Sequence, residues 1–593
     1  STPVAGGCEG TPIPDDAPGG LVCDTIVSSF VGNVSTLFLA LEIDHPDPTQ
    51  LVVTLTGPDG TAATVLAHGG HPGEAVREIF GLTKGSFEPL SVFAGNTLEG
   101  TWRLTVTDSV AGGAGRLVRW ALFVEPSIPE PEPDFPGATS FVATSAHRIG
   151  KLGAFYTTDV RLFNTDPFRT QDVRLRFSPA GGAPRTLTVT LPPLSTRALG
   201  DVVHDTFRMD GYGPLFLAAP PAVVAASRTS TTAPRGGSFG LSVPADAAAS
   251  AAGAGATLVL VPCFKATGFR VNVGVTEVSG QTAAVEIAVR DSSGTLRAVI
   301  PRAVPAAGLV QVNDIYALTR LAPDAADRIE VRVTAGPGRV AAWATPVDDS
   351  SNDGSFVSAH PASASLLIPA AARSAGQFGA RFVTDLKVSN AGLDPVTVRV
   401  AFSPLSGPAP DPAFVVLRGS ETRAFDDVLG TLFGATADTA GTLRLSASGG
   451  GFLHASSRTS TTDHGRSYGL AIDPAAGAAL AGPGRQLALT FLSSSAARRT
   501  NVGFVETAGL ATRVSATLLA PNGVRVATRD FGLDPLGAVQ WNDVFAEMEA
   551  PPLADASLVV DVVSGGSVAA YAILVDNRTN DASYFPASLV PAP

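Results

Sequence analysis

Apolar residues recur along this chain at every second position in short bursts, and the bursts end at Gly, Pro, Asn or Asp. Over residues 24–125 they read "STLFLALEI", "QLVVTLTGPDGTAATVL", "GTWRLTVTD" and "GRLVRWALFVE". A period of two sends alternate side chains to opposite faces, so each burst predicts a half-buried β-strand. "GPDG" predicts a tight turn, because Gly and Asp tolerate the φ angles required there. The texture continues to the C terminus, broken only by short helical turns such as "DVVHDTF" (201–207) and "NDVFAEM" (542–548). Such a chain is all-β, a succession of small sandwiches.

Beyond a proline-rich acidic stretch, "PSIPEPEPDFPG" (126–137), the sequence repeats itself. "TDVRLFNTDPFRTQDVRLRFSP" (158–179) returns as "TDLKVSNAGLDPVTVRVAFSP" (384–404), and "AASRTSTT" (225–232) as "ASSRTSTT" (455–462). A second kind of unit alternates with the first: "VNVGVTEVSG" (271–280) returns at 500–509, and "VAAWATPVDDSSNDGSFV" (340–357) at 568–585. The period is about 229 residues for the pair and about 110 for one unit. Self-similarity at fixed spacing fixes the architecture. It divides the chain into an arm (1–23), a first domain (24–125), a semi-rigid linker (126–137), and units A1 (138–247), B1 (256–362), A2 (363–475) and B2 (486–593). About seven strands in about 110 residues suggest an immunoglobulin-like sandwich for each unit.

The first domain carries family features in order. They are His45 after a strand, the L-x-V-x-L-x-x-P-x-G-T hairpin at 51–61, G-T-W-x-L-x-V-x-D at 100–108 and G-x-L-x-x-W-x-L at 115–122. This stretch resembles the P domain (P/Homo B domain) of kexin-like and bacterial subtilases. The resemblance implies a jelly-roll-like sandwich without catalytic residues, with Trp102 and Trp120 as core anchors. Two departures bear on any calcium site: Gln50 stands where the family often has an acid, and "GGAG" lacks the acid of the final turn. Asp44, Asp47, Asp59 and Asp108 remain candidate oxygen ligands. The arm before the domain is too short for a catalytic triad. The later units resemble, loosely, immunoglobulin-like repeat modules of large secreted bacterial surface proteins.

Composition narrows the function classes. The formal net charge of −12 argues against a nucleic-acid partner, and no run of 18 apolar residues spans a membrane. Arg outnumbers Lys 37 to 4, a bias that a GC-rich bacterial genome explains. Ser1 reads as a mature end left by signal-peptide removal. Cys8 and Cys23 bracket a turn-rich loop and are expected to form a disulfide, which implies an oxidising compartment. Cys263, left without a partner, reads as a buried thiol on a strand.

The tempting chemistry is G-x-S-x-G, the nucleophile-elbow pattern, matched at "GGSFG" (236–240) and "GRSYG" (465–469). An elbow requires a strand, a strained turn and a helix. Here "LSVPA" and "LAIDPA" follow, each a short strand ending at Pro. The unit ends align these motifs with "DGSFV" (353–357) and "DASYF" (581–585), so the shared feature is Ser before an aromatic, with the flanking glycines incidental. Replacing Ser238 and Ser467 by Ala is expected to change nothing measurable. Arg228 and Arg458, in the repeated "SRTSTT", are expected to brace a turn between the last two strands, with carboxylate or sugar binding as the alternative. Asn313/Asp314 and Asn542/Asp543 are expected to cap the helical turns. Asp348, Asn352 and Asp353, with Asp576, Asn580 and Asp581, cluster oxygen atoms in one loop per B unit, an Asx-turn network or a calcium site. "HGGH" (68–71) and "HASSRTSTTDH" (454–464) lack ligand spacing and read as loop histidines.

The reading that follows is a non-catalytic protein, secreted and extracellular or at the cell surface, structural or adhesive, with five sandwiches in a row. Its edge strands and its arm or tail would join copies into a homopolymeric fibre. The alternatives are a secreted carbohydrate- or protein-binding module and the non-catalytic part of a larger subtilase. No cofactor is certain; calcium is the candidate.

Overall fold

Alternation becomes strand wherever the sequence shows it. In this computed structural model, residues 2–27, 33–70, 72–94, 96–127, 135–150, 153–233, 236–376, 379–463, 465–475 and 480–590 are described. His71, His464, residues 128–134 of the linker and the last three residues of the tail lie outside them. Residues 1–132 and 133–593 form two compact units.

The first unit is a two-sheet sandwich. One sheet joins Thr2–Ala5, Gly115–Ser127, Asn33–Asp44 and Val76–Phe80, with Thr11–Ile13 also on Gly115–Ser127; the other orders Leu21–Val27, Gly100–Asp108, Leu51–Thr56 and Ala62–Ala67. The Leu51–Thr56/Ala62–Ala67 hairpin turns at "GPDG", where Gly60 takes φ +87°. Trp102 and Trp120 are buried, and each indole N–H donates to a carbonyl, of Leu98 and Gly7 respectively. A disulfide joins Cys8 to Cys23. The segment read as a separate arm is part of this sandwich: Thr2–Ala5 pairs with Ala121–Val124, and Leu21–Val27 is itself a core strand.

In the second unit, A1, B1, A2 and B2 share one topology. In A1 the strands are Ser140–Ile149, Phe155–Asn164, Gln171–Phe177, Arg185–Leu191, Thr196–Leu199, Gly211–Ala218, Val223–Thr232 and Ser238–Ala247. The first, third, fourth and sixth form one sheet in the order 4-3-6-1; the others form 5-2-7-8. B1, A2 and B2 repeat both orders. In the A units the two sheets join through the first strand, and in the B units they are separate. A1, B1 and A2 therefore have eight strands each and B2, with Ser588–Val590, has nine, where the alternation suggests about seven. In B1 the eighth is only Val357–Ser358.

A helical turn follows the fifth strand in every unit. Asp201, Asp314, Asp427 and Asp543 sit at its N-cap with left-handed φ and accept a backbone N–H from the turn. The preceding Asn313 and Asn542 do not cap; they accept from Gln311 and Gln540.

The four units do not run out in a row. A1 packs on B1, where Trp343 and Phe356 enter the A1 core. B1 packs on A2, where Ser456 Oγ bonds the Val261 carbonyl and the buried Lys387 ammonium donates to the Asp327 carbonyl at 3.0 Å over the Phe264 ring. A2 shares a core with Val505, Tyr571 and Tyr584 of B2. B2 then closes on A1: Phe163 and Val224 pack with Ala488, Leu519 and Val559, Arg161 pairs with Asp555 at 2.5 Å, and Thr196 Oγ1 lies 2.7 Å from Ser557 Oγ. The closing contact repeats the B1–A2 contact, since Arg161 occupies the place of Lys387 and stacks on Phe491 as Lys387 does on Phe264. The repeat thus closes into a ring with internal two-fold pseudosymmetry. The tail strand Ser588–Val590 pairs with Gln486–Ala488 in the same chain. The described parts of the arm and of the tail are thus paired within the chain.

Candidate functional site

The eighth strands of A1, A2 and B2 and, in B1, the residues just before its eighth strand meet at the centre of the ring. They leave a gap of only about 10 Å³, lined in turn by residues 240–242, 354–356, 470–471 and 582–584. In B1 and B2 these lie within "DGSFV" and "DASYF"; in A1 and A2 they are the end of "GGSFG" and the residues that follow the two G-x-S-x-G motifs. Their likeness marks convergence on one hub, and each serine there has a structural partner.

Arg228, on the seventh strand of A1, donates from Nε to Ser583 Oγ of B2 at 2.9 Å and from Nη2 to Ser238 Oγ at 3.1 Å. Its counterpart Arg458 donates to Ser355 Oγ of B1 at 3.1 Å and to Ser467 Oγ at 2.8 Å. Each arginine also lies beside a carboxylate, Asp581 at 3.6 Å and Asp353 at 3.5 Å. Both guanidinium groups are buried, so the expected turn-bracing arginines also tie neighbouring units together. Burial pulls the Arg228 pKa down, opposed mainly by the Asp581 charge.

The B-unit acids complete the hub. Asp353 Oδ2 accepts the Gly469 N–H and Asp581 Oδ2 the Gly240 N–H, each at 2.7 Å. Asp348 accepts from Ser350, Ser351 and Ser467, and Asp576 from Arg578, Thr579 and Ser238. The glycines at the ends of the two motifs are therefore not incidental. A Cβ on Gly240 would lie 2.7 Å from the Arg228 guanidinium, and one on Gly469 would lie 2.4 Å from the Thr459 carbonyl oxygen. Nor are Ser238 and Ser467 idle, because both are partners of buried charges.

Asp353 and Asp581 act on one another electrostatically across the hub. Burial pushes Asp353 up to about 7; burial, with the Asp353 charge beside it, pushes Asp581 well above the carboxylate range. Two buried carboxylates beside one another cannot both ionise cheaply, which favours the protonated form of the pair.

The other candidates lie apart. Asp47 and Asp59 are held by Thr49 and Thr61 in tight turns. Asp44 pairs with Arg116 at 3.1 Å, and Asp108 is buried against His45 Nε2 at 3.0 Å. Each carboxylate has its own protein partner, and the four do not form one ligand set among the described residues. Cys263 is buried and free, just past a strand end, with its thiol pushed up to about 11 by burial.

Sequence reasoning missed a cleft between A1 and B1, of about 640 Å³, where Arg148, Tyr156 and Tyr212 face Asn272, Gln311 and Trp343. Its pseudosymmetry mate between A2 and B2 measures about 190 Å³ and keeps Asn501 and Gln540. Tyr571 replaces Trp343 there, and its hydroxyl donates to Gln540 Oε1 at 2.9 Å. Ile573 replaces Thr345. Glycine is required beneath both rings, since a Cβ on Gly274 or Gly503 would fall about 2 Å from Trp343 or Tyr571.

Comparison with known proteins assigns the first domain. Residues 34–124 match the family model of the proprotein convertase P-domain, and this part of the chain is a P domain. The rest is a β-sandwich array with immunoglobulin-like units in A-B-A-B order. No curated protein matches the sequence. Among solved structures, the chain is similar to the Aeromonas sobria serine protease in complex with its chaperone, at 18% identity over 21% of this chain and 26% of that one, TM-score 0.16. It is also similar to a tetra-tandem repeat from the extending region of a large adhesion protein, at 13% identity over 76% of this chain and 99% of that one, TM-score 0.10. A third is the major pilin of Streptococcus pyogenes, at 13% identity over 46% and 94%, TM-score 0.12. The chain spans about a quarter of the length of the first of these.

Proposed function

We propose that this chain is a non-catalytic extracellular protein, structural or adhesive, in which a P domain accompanies a closed ring of four sandwiches. One observation carries the reading. The repeated polar residues, which would have supplied chemistry, are instead buried in the hub and spent on one another. Arg228, Arg458, Asp348, Asp353, Asp576 and Asp581 each bond a neighbouring unit, and both motif serines accept from arginine. The Cys8–Cys23 disulfide supports an oxidising, extracellular setting. Self-association would use the outer fourth strands, where Phe414 and Val416 are exposed on Ala413–Leu417.

The test pairs hydrolysis assays on ester and casein substrates with light scattering and electron microscopy of the native chain. Filaments without hydrolysis support the reading. Hydrolysis that disappears in Ser238→Ala/Ser467→Ala overturns it, and a strictly monomeric particle removes the fibre.

A second reading, a carbohydrate-binding module, is favoured by the open A1–B1 cleft. Neutral amides beside aromatic rings suit the hydroxyls and C–H faces of a sugar, and the volume lies in the range of ligand pockets. Saturation-transfer NMR with lactose and diacetylchitobiose tests it. Signal lost in Thr345→Ile, which narrows the cleft toward its mate, supports the reading; absence of signal from both sugars rejects it.

A further inference from the structure

His147 lies far from His204 and Asp210 in sequence, and all three are unremarkable there, yet they converge on one edge of A1. Their donor atoms all lie within 4.8 Å of one another. His147 Nε2 is 3.4 Å and His204 Nδ1 3.1 Å from the same oxygen, Asp210 Oδ1. The other ring nitrogen of His147, Nδ1, lies 2.6 Å from Asp201 Oδ2. A nitrogen so close to a carboxylate carries a proton, so Nε2 is the ring nitrogen left to face Asp210. A carboxylate behind a histidine is also the usual outer partner of a metal-bound imidazole.

We propose that His147, His204 and Asp210 bind a divalent transition-metal ion of the zinc class, with Asp201 as the positioning residue that fixes the His147 tautomer. Two imidazoles and one carboxylate on an open face suit zinc, copper or nickel, and nitrogen donors disfavour calcium. The imidazole rings are stacked at 4.4 Å, so both lone pairs reach one ion only if a ring swings. His204 and Asp210, with side chains 50% and 76% exposed, are free to move, whereas His147 is 18% exposed and anchored by Asp201.

Among the described residues the cluster occurs in A1 alone. His204 lies in Val202–Thr206, a π-type turn, where the other three units form α-turns. Such irregular turns recur at functional sites. In A2 the equivalent places hold Gly430 and Arg373, and Arg373 bonds Asp427 directly at 2.8 Å, a cation of the protein's own. Where A2 supplies an arginine, A1 leaves two imidazoles.

This inference is independent of the adhesive reading, and its test reads metal uptake alone. The full chain is titrated with Zn²⁺ by calorimetry, with Ca²⁺ as competitor. One equivalent of Zn²⁺ is expected, undisturbed by Ca²⁺ and lost in His204→Ala, whose exposed side chain supports no core. Asp201→Asn should weaken binding by about 10–100-fold. Imidazole ¹⁵N shifts of His147 and His204 on Zn²⁺ addition provide a readout that does not depend on a variant. No uptake, uptake unchanged in His204→Ala, or displacement by equimolar Ca²⁺ overturns the assignment.

Discussion

Asp353→Asn tests whether the hub holds a proton. The substituted amide has the shape of the protonated acid: its oxygen can still accept the Gly469 N–H, and its NH₂ can donate to Asp581. Unfolded, the Asp353 carboxyl releases its proton near 3.8; folded, it holds it to about 7. Between those values the native state binds more protons than the unfolded chain, so stability falls as pH rises and levels off above about 7. At about 1.4 kcal/mol per pKa unit, the shift sets a ceiling of about 4 kcal/mol. Urea unfolding of native and Asp353→Asn chains at pH 4 and pH 8 gives the answer as a difference. The difference is needed because Asp246, raised by burial to about 6, adds to the native slope, while His454, lowered by burial to about 4, opposes it. The variant should match the native protein at pH 4 and exceed it at pH 8 by an amount approaching that ceiling. A variant less stable at pH 8, or a difference that does not change with pH, would refute the buried proton.

Other outcomes follow from the same contacts. Arg228→Ala or Arg458→Ala leaves a buried carboxylate without its cation and should cost about 3–5 kcal/mol in chemical denaturation. Ser238→Ala/Ser467→Ala, expected from sequence alone to be silent, should instead lose about 1–3 kcal/mol per site, because each serine partners a buried charge. Reducing Cys8–Cys23 should destabilise the P domain by roughly 3 kcal/mol and leave the ring's unfolding transition in place, checked by calorimetry with and without reductant. Gly274→Ala should disrupt A1–B1 packing through Trp343, seen as a change in tryptophan fluorescence and a lower melting temperature.

Most strands of the P domain were legible because alternation is local, and "STLFLALEI" or "GTWRLTVTD" carries it over seven or more residues; the short Thr2–Ala5, Thr11–Ile13 and Val76–Phe80 were not. Asp314 and Asp543 were legible as caps for the same reason, since a cap acts within three residues; Asp201 and Asp427 emerged only from the fold. The hub was not legible. Arg228 and Ser583 are 355 residues apart, and no local pattern records that B2 returns to A1. The eighth strand of B1 is too short to alternate, so it escaped the count. The repeats did hold a trace of the hub, because Ser-aromatic recurs at four unit ends whose flanking residues differ. What the sequence could not show was that the four copies meet. The histidine cluster was hidden in another way: His147 sits on a strand and His204 on a turn, and only the fold sets them side by side.

The central claim is that the fourth sandwich closes on the first. Thr196 Oγ1 and Ser557 Oγ are 2.7 Å apart across that contact, so Thr196→Cys/Ser557→Cys places two thiols within bonding reach. Mild oxidation of the dilute double variant, followed by non-reducing electrophoresis and peptide mapping, reads the result. Closure predicts near-complete formation of an intramolecular 196–557 disulfide. Thiols at both positions that stay free and react with alkylating reagent under native conditions would contradict it, and would return the units to an open string.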